Sequence, residues 1–299
     1  MKRKAFSRKP HREQLAGFSL VELLVAMSMI GLMLAMVTGF VFHNVETTEE
    51  GRLQTEAQQG LRALLSMVTQ ELRQAGACLA QTGQFVALAG METGDTDTLT
   101  VRVGKVDPVS LRCAETSTVA GATTVGDTQI IVTEAVLFEA GDRVYITASG
   151  ATGNYYYLDH VDTAAKTLTL STGLVEALPA TGGAGVYAIE ERTFSVSGST
   201  LTLSIDGGGA YPLVDGVEVF DVLYYLKPCT LDTDGVLNCT AVISTPPAGD
   251  AQWNQIAAIG LKATVRSHKA DKQGNIRYAT TGQTGTAGEY VTIKPRNFL

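Results

Sequence analysis

The sequence predicts an α+β protein in which a long N-terminal helix packs on an antiparallel β-sheet head, with an all-β module inserted between the two. Three observations carry that expectation. Residues 18–42 form a largely apolar run with a single charged residue, Glu22. Apolar residues then recur at helical spacing as far as Leu72, and no proline stands between Pro10 and Pro108 to end the helix. From about residue 118 the pattern changes to short β-rich segments separated by Gly, Asp and Ser.

The first element is a basic leader, residues 1–17, with six Lys/Arg (Lys2, Arg3, Lys4, Arg8, Lys9, Arg12). The 25 residues that follow, 18–42, reach roughly 37 Å as a helix, enough to span a hydrocarbon core of ~30 Å. Basic residues before such a segment place the N-terminus in the cytoplasm. An ordinary secretory signal has a shorter apolar region followed by a small-residue cleavage site, and none follows here. An uncleaved signal anchor is the plain alternative. Glu22 argues against it, because a carboxylate inside a membrane helix costs about 2.5–3.5 kcal/mol on insertion scales and calls for a partner. Gly31 and Gly39 weaken the helix locally and leave room for close packing, although Gly is frequent in membrane helices anyway.

The helix is expected to continue to about residue 76. Leu53, Ala57, Leu61, Leu64, Leu65, Val68 and Leu72 form a stripe with Glu49, Glu50, Arg52, Glu56, Arg62, Glu71 and Arg73 mostly off it. That stripe is a core face, and Gly76 is a suitable C-terminal stop. Residues 77–117 read as a loop region with short strands at 85–88 and 98–103.

The inserted module is placed at 118–190, with strands at 129–133, 143–147, 155–160, 167–171 and 186–189. Residues 191–299 form the C-terminal sheet of the head, with strands at 194–196, 200–205, 217–226, 256–266 and 276–279. The stretch V-E-V-F-D-V-L-Y-Y-L (217–226) alternates imperfectly, as expected of a sheet with one face under a helix.

Four cysteines, Cys78, Cys113, Cys229 and Cys239, lie beyond the apolar run, on its oxidising side. A Cys78–Cys113 bridge would tie the loop region back to the helix. Four cysteines allow three pairings, and only the short 229–239 spacing favours the sequential one. Between Cys229 and Cys239 the run D-T-D-G (232–235) reads first as a hairpin turn closed by a bridge. Asp232 and Asp234 also supply hard oxygen ligands for a calcium ion, but two local carboxylates are few for such a site.

Without the leader the chain has 17 basic and 29 acidic residues, net −12, which argues against a nucleic-acid-binding surface. The four His (His11, His43, His160, His268) are scattered, which argues against zinc. Gly182-Gly183 and Gly207-Gly208-Gly209 lack the context of a phosphate loop, and no G-x-S-x-G element occurs. Glu190 and Glu191 are expected to be solvated. Tyr155-Tyr156-Tyr157 is read as core or module edge in preference to an exposed adhesive strand. No catalytic constellation is found, and no cofactor is expected beyond the calcium alternative.

The segment G-F-S-L-V-E-L-L-V-A-M-S-M-I-G-L-M-L-A-M-V (17–37) closely resembles the N-terminus of type IV prepilins and type II secretion pseudopilins. The resemblance implies cleavage between Gly17 and Phe18 by a prepilin peptidase, N-methylation of Phe18, and an assembly role for Glu22. It also implies the type IV pilin fold. Family members commonly carry Pro where this chain has Gly39. Further on, L-V-D-G-V-E-V-F-D-V-L-Y-Y-L (213–226), W-N-Q-I-A-A-I-G-L-K-A-T-V-R-S (253–267) and V-T-I-K-P-R-N-F (291–298) resemble, more loosely and in the same order, the C-terminal half of PilW-type minor pilins. Together the similar regions cover roughly half the chain; 118–190 matches least.

The function this implies is assembly: a minor pilin that helps prime a type IV pilus, with other minor pilins, the major pilin and the inner-membrane assembly platform as partners. The implied location is the bacterial inner membrane, head in the periplasm, and then the cell surface. A J-type secretion pseudopilin, and a surface adhesion module that uses the helix only as an anchor, are the two alternatives.

Overall fold

Apolar spacing through residue 72 builds one continuous helix, α1 (Leu20–Gln74), of 55 residues. The computed structural model describes residues 19–79, 85–106, 113, 117–148, 153–179, 183–231, 233, 237–247, 255–270, 274–281 and 290–294. The chain divides into two compact units, Met1–Gly51 and Arg52–Leu299. In the first, the helix starts with the N–H groups of Glu22 and Leu23 donating to the Ser19 carbonyl, and every described residue from 19 to 45 is exposed.

In the second unit the helix buries Leu53, Ala57, Leu64, Val68 and Leu72. This is the expected stripe, with Leu61 and Leu65 at its half-buried margin. Past Gln74 the chain leaves the helix through Gly76, whose φ of 72° suits a residue without Cβ. The Gly76 N–H donates to the Arg102 carbonyl, so the helix end is stitched to a strand.

Fifteen described strands follow, all paired antiparallel. They are β1 (Leu88–Met91), β2 (Thr98–Gly104), β3 (Ser117–Thr118), β4 (Gln129–Ile131), β5 (Arg143–Thr147), β6 (Asn154–Asp162), β7 (Thr167–Leu170), β8 (Gly185–Ser197), β9 (Thr200–Ile205), β10 (Tyr211–Asp215), β11 (Val217–Leu231), β12 (Leu237–Ile243), β13 (Ile256–Arg266), β14 (Tyr278–Thr280) and β15 (Val291–Ile293). One sheet runs β12-β11-β13-β14, with β15 also on β13. The other runs β1-β2-β8-β5-β6-β7-β4, with β9 and β10 attached through β8 and β3 paired to β8. Helix residues Leu64, Val68 and Leu72 share one core with both sheets, including Leu99 and Val101 of β2, Phe194 of β8, and Phe220, Val222 and Leu261 of the second sheet.

The region after β3 closes on itself. β3 pairs β8, β8 pairs β5, β5 pairs β6, β6 pairs β7 and β7 pairs β4. The circuit then returns through a Val119–Val132 bridge to the residue after β3. The result is a six-stranded barrel with its own core, in which Ile130, Val144, Tyr156, Leu158, Leu168, Leu170 and Val186 are buried. Closure removes free strand edges, so this module is not built for strand addition.

Its last stave, β8, continues into the head. Residues 185–189 pair with β5, while 189–194 pair with β2 and 192–197 with β9. The boundary expected at 190/191 therefore falls inside one 13-residue strand that joins the two strands expected at 186–189 and 194–196.

Between the two sheets the β1–β2 turn is clasped onto β11. The Asp97 N–H donates to the Phe220 carbonyl, and the Phe220 N–H to the Asp95 carbonyl. The Asp97 carboxylate accepts from the N–H groups of Val222, at 2.9 Å, and Thr93, at 3.2 Å. Asp97 is 2% exposed, and desolvation, with Glu92 and Asp221 nearby, outweighs the two N–H donors and pushes its pKa up to about 6. The folded state thus binds this proton more tightly than the unfolded chain does. The contribution of Asp97 to stability is greatest below its unfolded pKa near 4 and declines as pH rises to about 6. Asp97→Asn is expected to remove that decline. Urea unfolding of both proteins at pH 4.5 and 7.5 checks it: the cost of the substitution should be smaller at the higher pH, and an equal cost at both refutes the assignment.

Candidate functional site

The N-terminal apolar surface is built from one helical stretch, with Glu22 in its first turn. Leu20–Gln74 is the one described helix that is long and apolar enough to cross a membrane, by length and composition. Its few polar groups are satisfied locally: the Ser28 hydroxyl donates to the Val25 carbonyl and the Thr38 hydroxyl to the Leu34 carbonyl. That is how hydroxyls are accommodated where water is absent. Glu22 remains as the charged group on this surface. Among the described residues, and apart from the helix's own backbone, nothing lies within 4 Å of a Cβ placed at Gly31 or Gly39. Gly17 and Phe18 lie outside the described residues.

Of the three pairings that four cysteines allow, the structure has the sequential one, Cys78–Cys113 and Cys229–Cys239. Cys229 and Cys239 stand opposite each other in the β11–β12 register, so the bridge closes a hairpin. Asp232 and Asp234 lie outside the described residues. Among the described residues, no group of three or more His, Cys, Asp or Glu is placed to hold a metal ion.

The three tyrosines of β6 divide by strand parity. Tyr156 points into the barrel core, where its hydroxyl accepts the Val175 N–H at 3.0 Å. Tyr155 and Tyr157 point the other way and are occupied by arginines. Arg102 lies 4.4 Å from the Tyr155 ring, and Arg143 lies 4.9 Å from the Tyr157 ring. Phe85 and Tyr145 pack edge-on at 5.0 Å beside them. Phe85, Tyr145 and Tyr155 pack ring against ring, and half-buried Tyr157 is held by Arg143, so the row is fixed in place.

Glu190 and Glu191 correct the expectation of solvated carboxylates. They sit inside β8 on opposite faces. Glu191 is 9% exposed and takes Arg102 Nε at 2.6 Å on one oxygen and an Arg143 guanidinium nitrogen at 2.8 Å on the other. Its backbone N–H donates to Asp206, whose own N–H returns a bond to the Glu191 carbonyl. Burial raises the Asp206 pKa, with Glu190 and Glu191 adding to the effect. On the other face Arg192 pairs with Glu190 at 2.5 Å and with Glu71 of the helix. Sequence reasoning had a signal for neither cluster, because i, i+2 charges on a strand become informative only once the neighbouring strands are known.

Comparison with protein-family models, with curated proteins and with solved structures finds no match.

Proposed function

We propose that this chain is a minor subunit of a type IV pilus, of the PilW kind, which helps prime assembly and stays at the pilus tip. The observation that carries the proposal is Glu22, a single carboxylate placed five residues after Gly17 in an otherwise uncharged run to Phe42. Cleavage between Gly17 and Phe18 would create an α-amino cation close to Glu22 in sequence. Within one chain or between neighbours, that cation offsets a carboxylate that is costly in lipid. A neighbour that neutralises the charge only when docked in register makes assembly specific, and a repeated heterologous contact of this kind extends as an open filament.

The pilin fold reading rests on the long helix packed against antiparallel sheets. The barrel is then the part offered to partners, which on this reading are the other minor pilins and the major pilin. The prepilin peptidase/methylase and the inner-membrane platform act on the chain before assembly.

Mass spectrometry of protein recovered from sheared surface filaments tests the proposal. The expected species begins with N-methylated Phe18. If the processed protein stays in the membrane fraction and its deletion abolishes secretion but not piliation, the chain is a J-type pseudopilin. An intact leader overturns both readings and leaves the anchored surface module.

A further inference from the structure

The barrel has two ends, and both are fastened to the C-terminal end of α1 or to the residues just after it. The incoming end is Cys113, four residues before β3, and it is bonded to Cys78, four residues past Gln74. A Val106–Cys113 bridge holds the same point to the chain leaving β2. The outgoing end is β8, where Arg192 reaches back to Glu71.

Around this joint the backbone is tightly stitched. The Gly104 N–H donates to the Ala77 carbonyl, and the Lys105 N–H to the Ala188 carbonyl. A Cβ at Gly104 would lie 2.4 Å from the Cys78 carbonyl oxygen, so only glycine permits this approach. Lys105 also pairs with Asp142, just before β5, at 2.8 Å.

By contrast, the β1–β2 hairpin within the loop closed by the disulfide is held by non-covalent contacts: to β8, to the helix core, and at its turn to β11. Along the backbone alone, tension from the barrel would have to pass through that hairpin to reach the helix. The disulfide shortens the path, because its cysteines are 35 positions apart in sequence and 4.9 Å apart at Cα.

We propose that Cys78–Cys113 is a load-bearing strap that joins the barrel directly to α1 and keeps the β1–β2 hairpin out of the line of force. The proposal rests on reading the helix as the anchored end of the chain, since only then does the barrel pull against it.

Optical-tweezers measurement on the full-length protein in detergent micelles tests the strap. Azide-bearing residues for cysteine-independent handles would replace exposed Thr48 on the helix and Ala164 in the β6–β7 turn. With the disulfide intact, the first rupture is expected to be opening of the barrel. In the Cys78→Ser/Cys113→Ser variant, an earlier, lower-force rupture should release the chain across the 35-position separation of the two cysteines, adding about 12 nm of contour length.

Adding reductant to a folded protein lacking only the Cys229–Cys239 pair should give the same early rupture, which covers the case in which the double variant folds poorly. If the barrel opens first at an unchanged force with the 78–113 bond absent, the strap carries no load and the proposal fails. Both handles lie beyond the apolar run, so this result is independent of whether the chain is found in filaments.

Discussion

Glu191→Ala is expected to destabilise the head by about 3–5 kcal/mol, the range for removing one partner from a buried ion pair. The reason is the pair of cations left behind. Arg102 and Arg143 are 12% and 18% exposed in their side chains, and both lose their shared carboxylate. The Tyr155 and Tyr157 rings remain, but a ring face is worth about 0.5–2 kcal/mol and does not replace an anion. For a unit of this size the shift corresponds to roughly 10 °C in melting temperature.

The same clamp spans β2, β8 and β5, so it joins the head sheet to the barrel. Calorimetry of the wild type should show one transition for both, and the alanine variant should show the barrel and head separating. Glu191→Gln keeps the size and one acceptor, and should fall between the two. A melting shift under 2 °C for the alanine variant would show that the clamp adds nothing to the fold.

Glu22→Leu has the largest effect on assembly if the proposed function holds. Leucine removes an insertion cost of about 2.5–3.5 kcal/mol, so the variant should accumulate normally in the membrane. What it loses is the match to a cation at the new N-terminus, and incorporation into sheared filaments should drop by at least about tenfold, the equivalent of ~1.4 kcal/mol. Quantitative immunoblotting of sheared and membrane fractions separates the two effects. Normal incorporation of Glu22→Leu, or of Glu22→Ala, would sink the role given to this carboxylate.

Much of the local structure was legible from single segments. The helix stripe from Leu53 to Leu72 announces itself because a 3.6-residue period needs only the residues of the helix. Strands 143–147, 200–205 and 256–266 agree with the structure residue for residue, since each combines β-branched residues with clear flanking turns. Four strands were not foreseen: β3 has two residues, β10 carries Pro212, β12 alternates around Cys239, and β15 has three residues. The strand expected at 85–88 lies instead at Leu88–Met91, where it pairs with β2. β11 extends past the expected Leu226 to Leu231, because pairing with β12 holds a segment that contains Pro228.

The candidate sites divide the same way. Glu22 was visible because a charge in a long apolar run is conspicuous without any structure. The Arg102–Glu191–Arg143 clamp was invisible, because each residue taken alone looks like a solvated charge on a short strand. By itself the sequence determined the apolar helix with its lone carboxylate, the core stripe, and the separation of a β-rich region from the helix. The tertiary structure alone decided that this region closes into a barrel, that β8 is shared with the head, and that Glu191 is buried between two arginines. Helical periodicity is a property of neighbours along the chain, whereas strand pairing joins residues as far apart as Arg102 and Glu191, 89 positions. A period of two names the face a side chain takes but not the strand that will lie beside it.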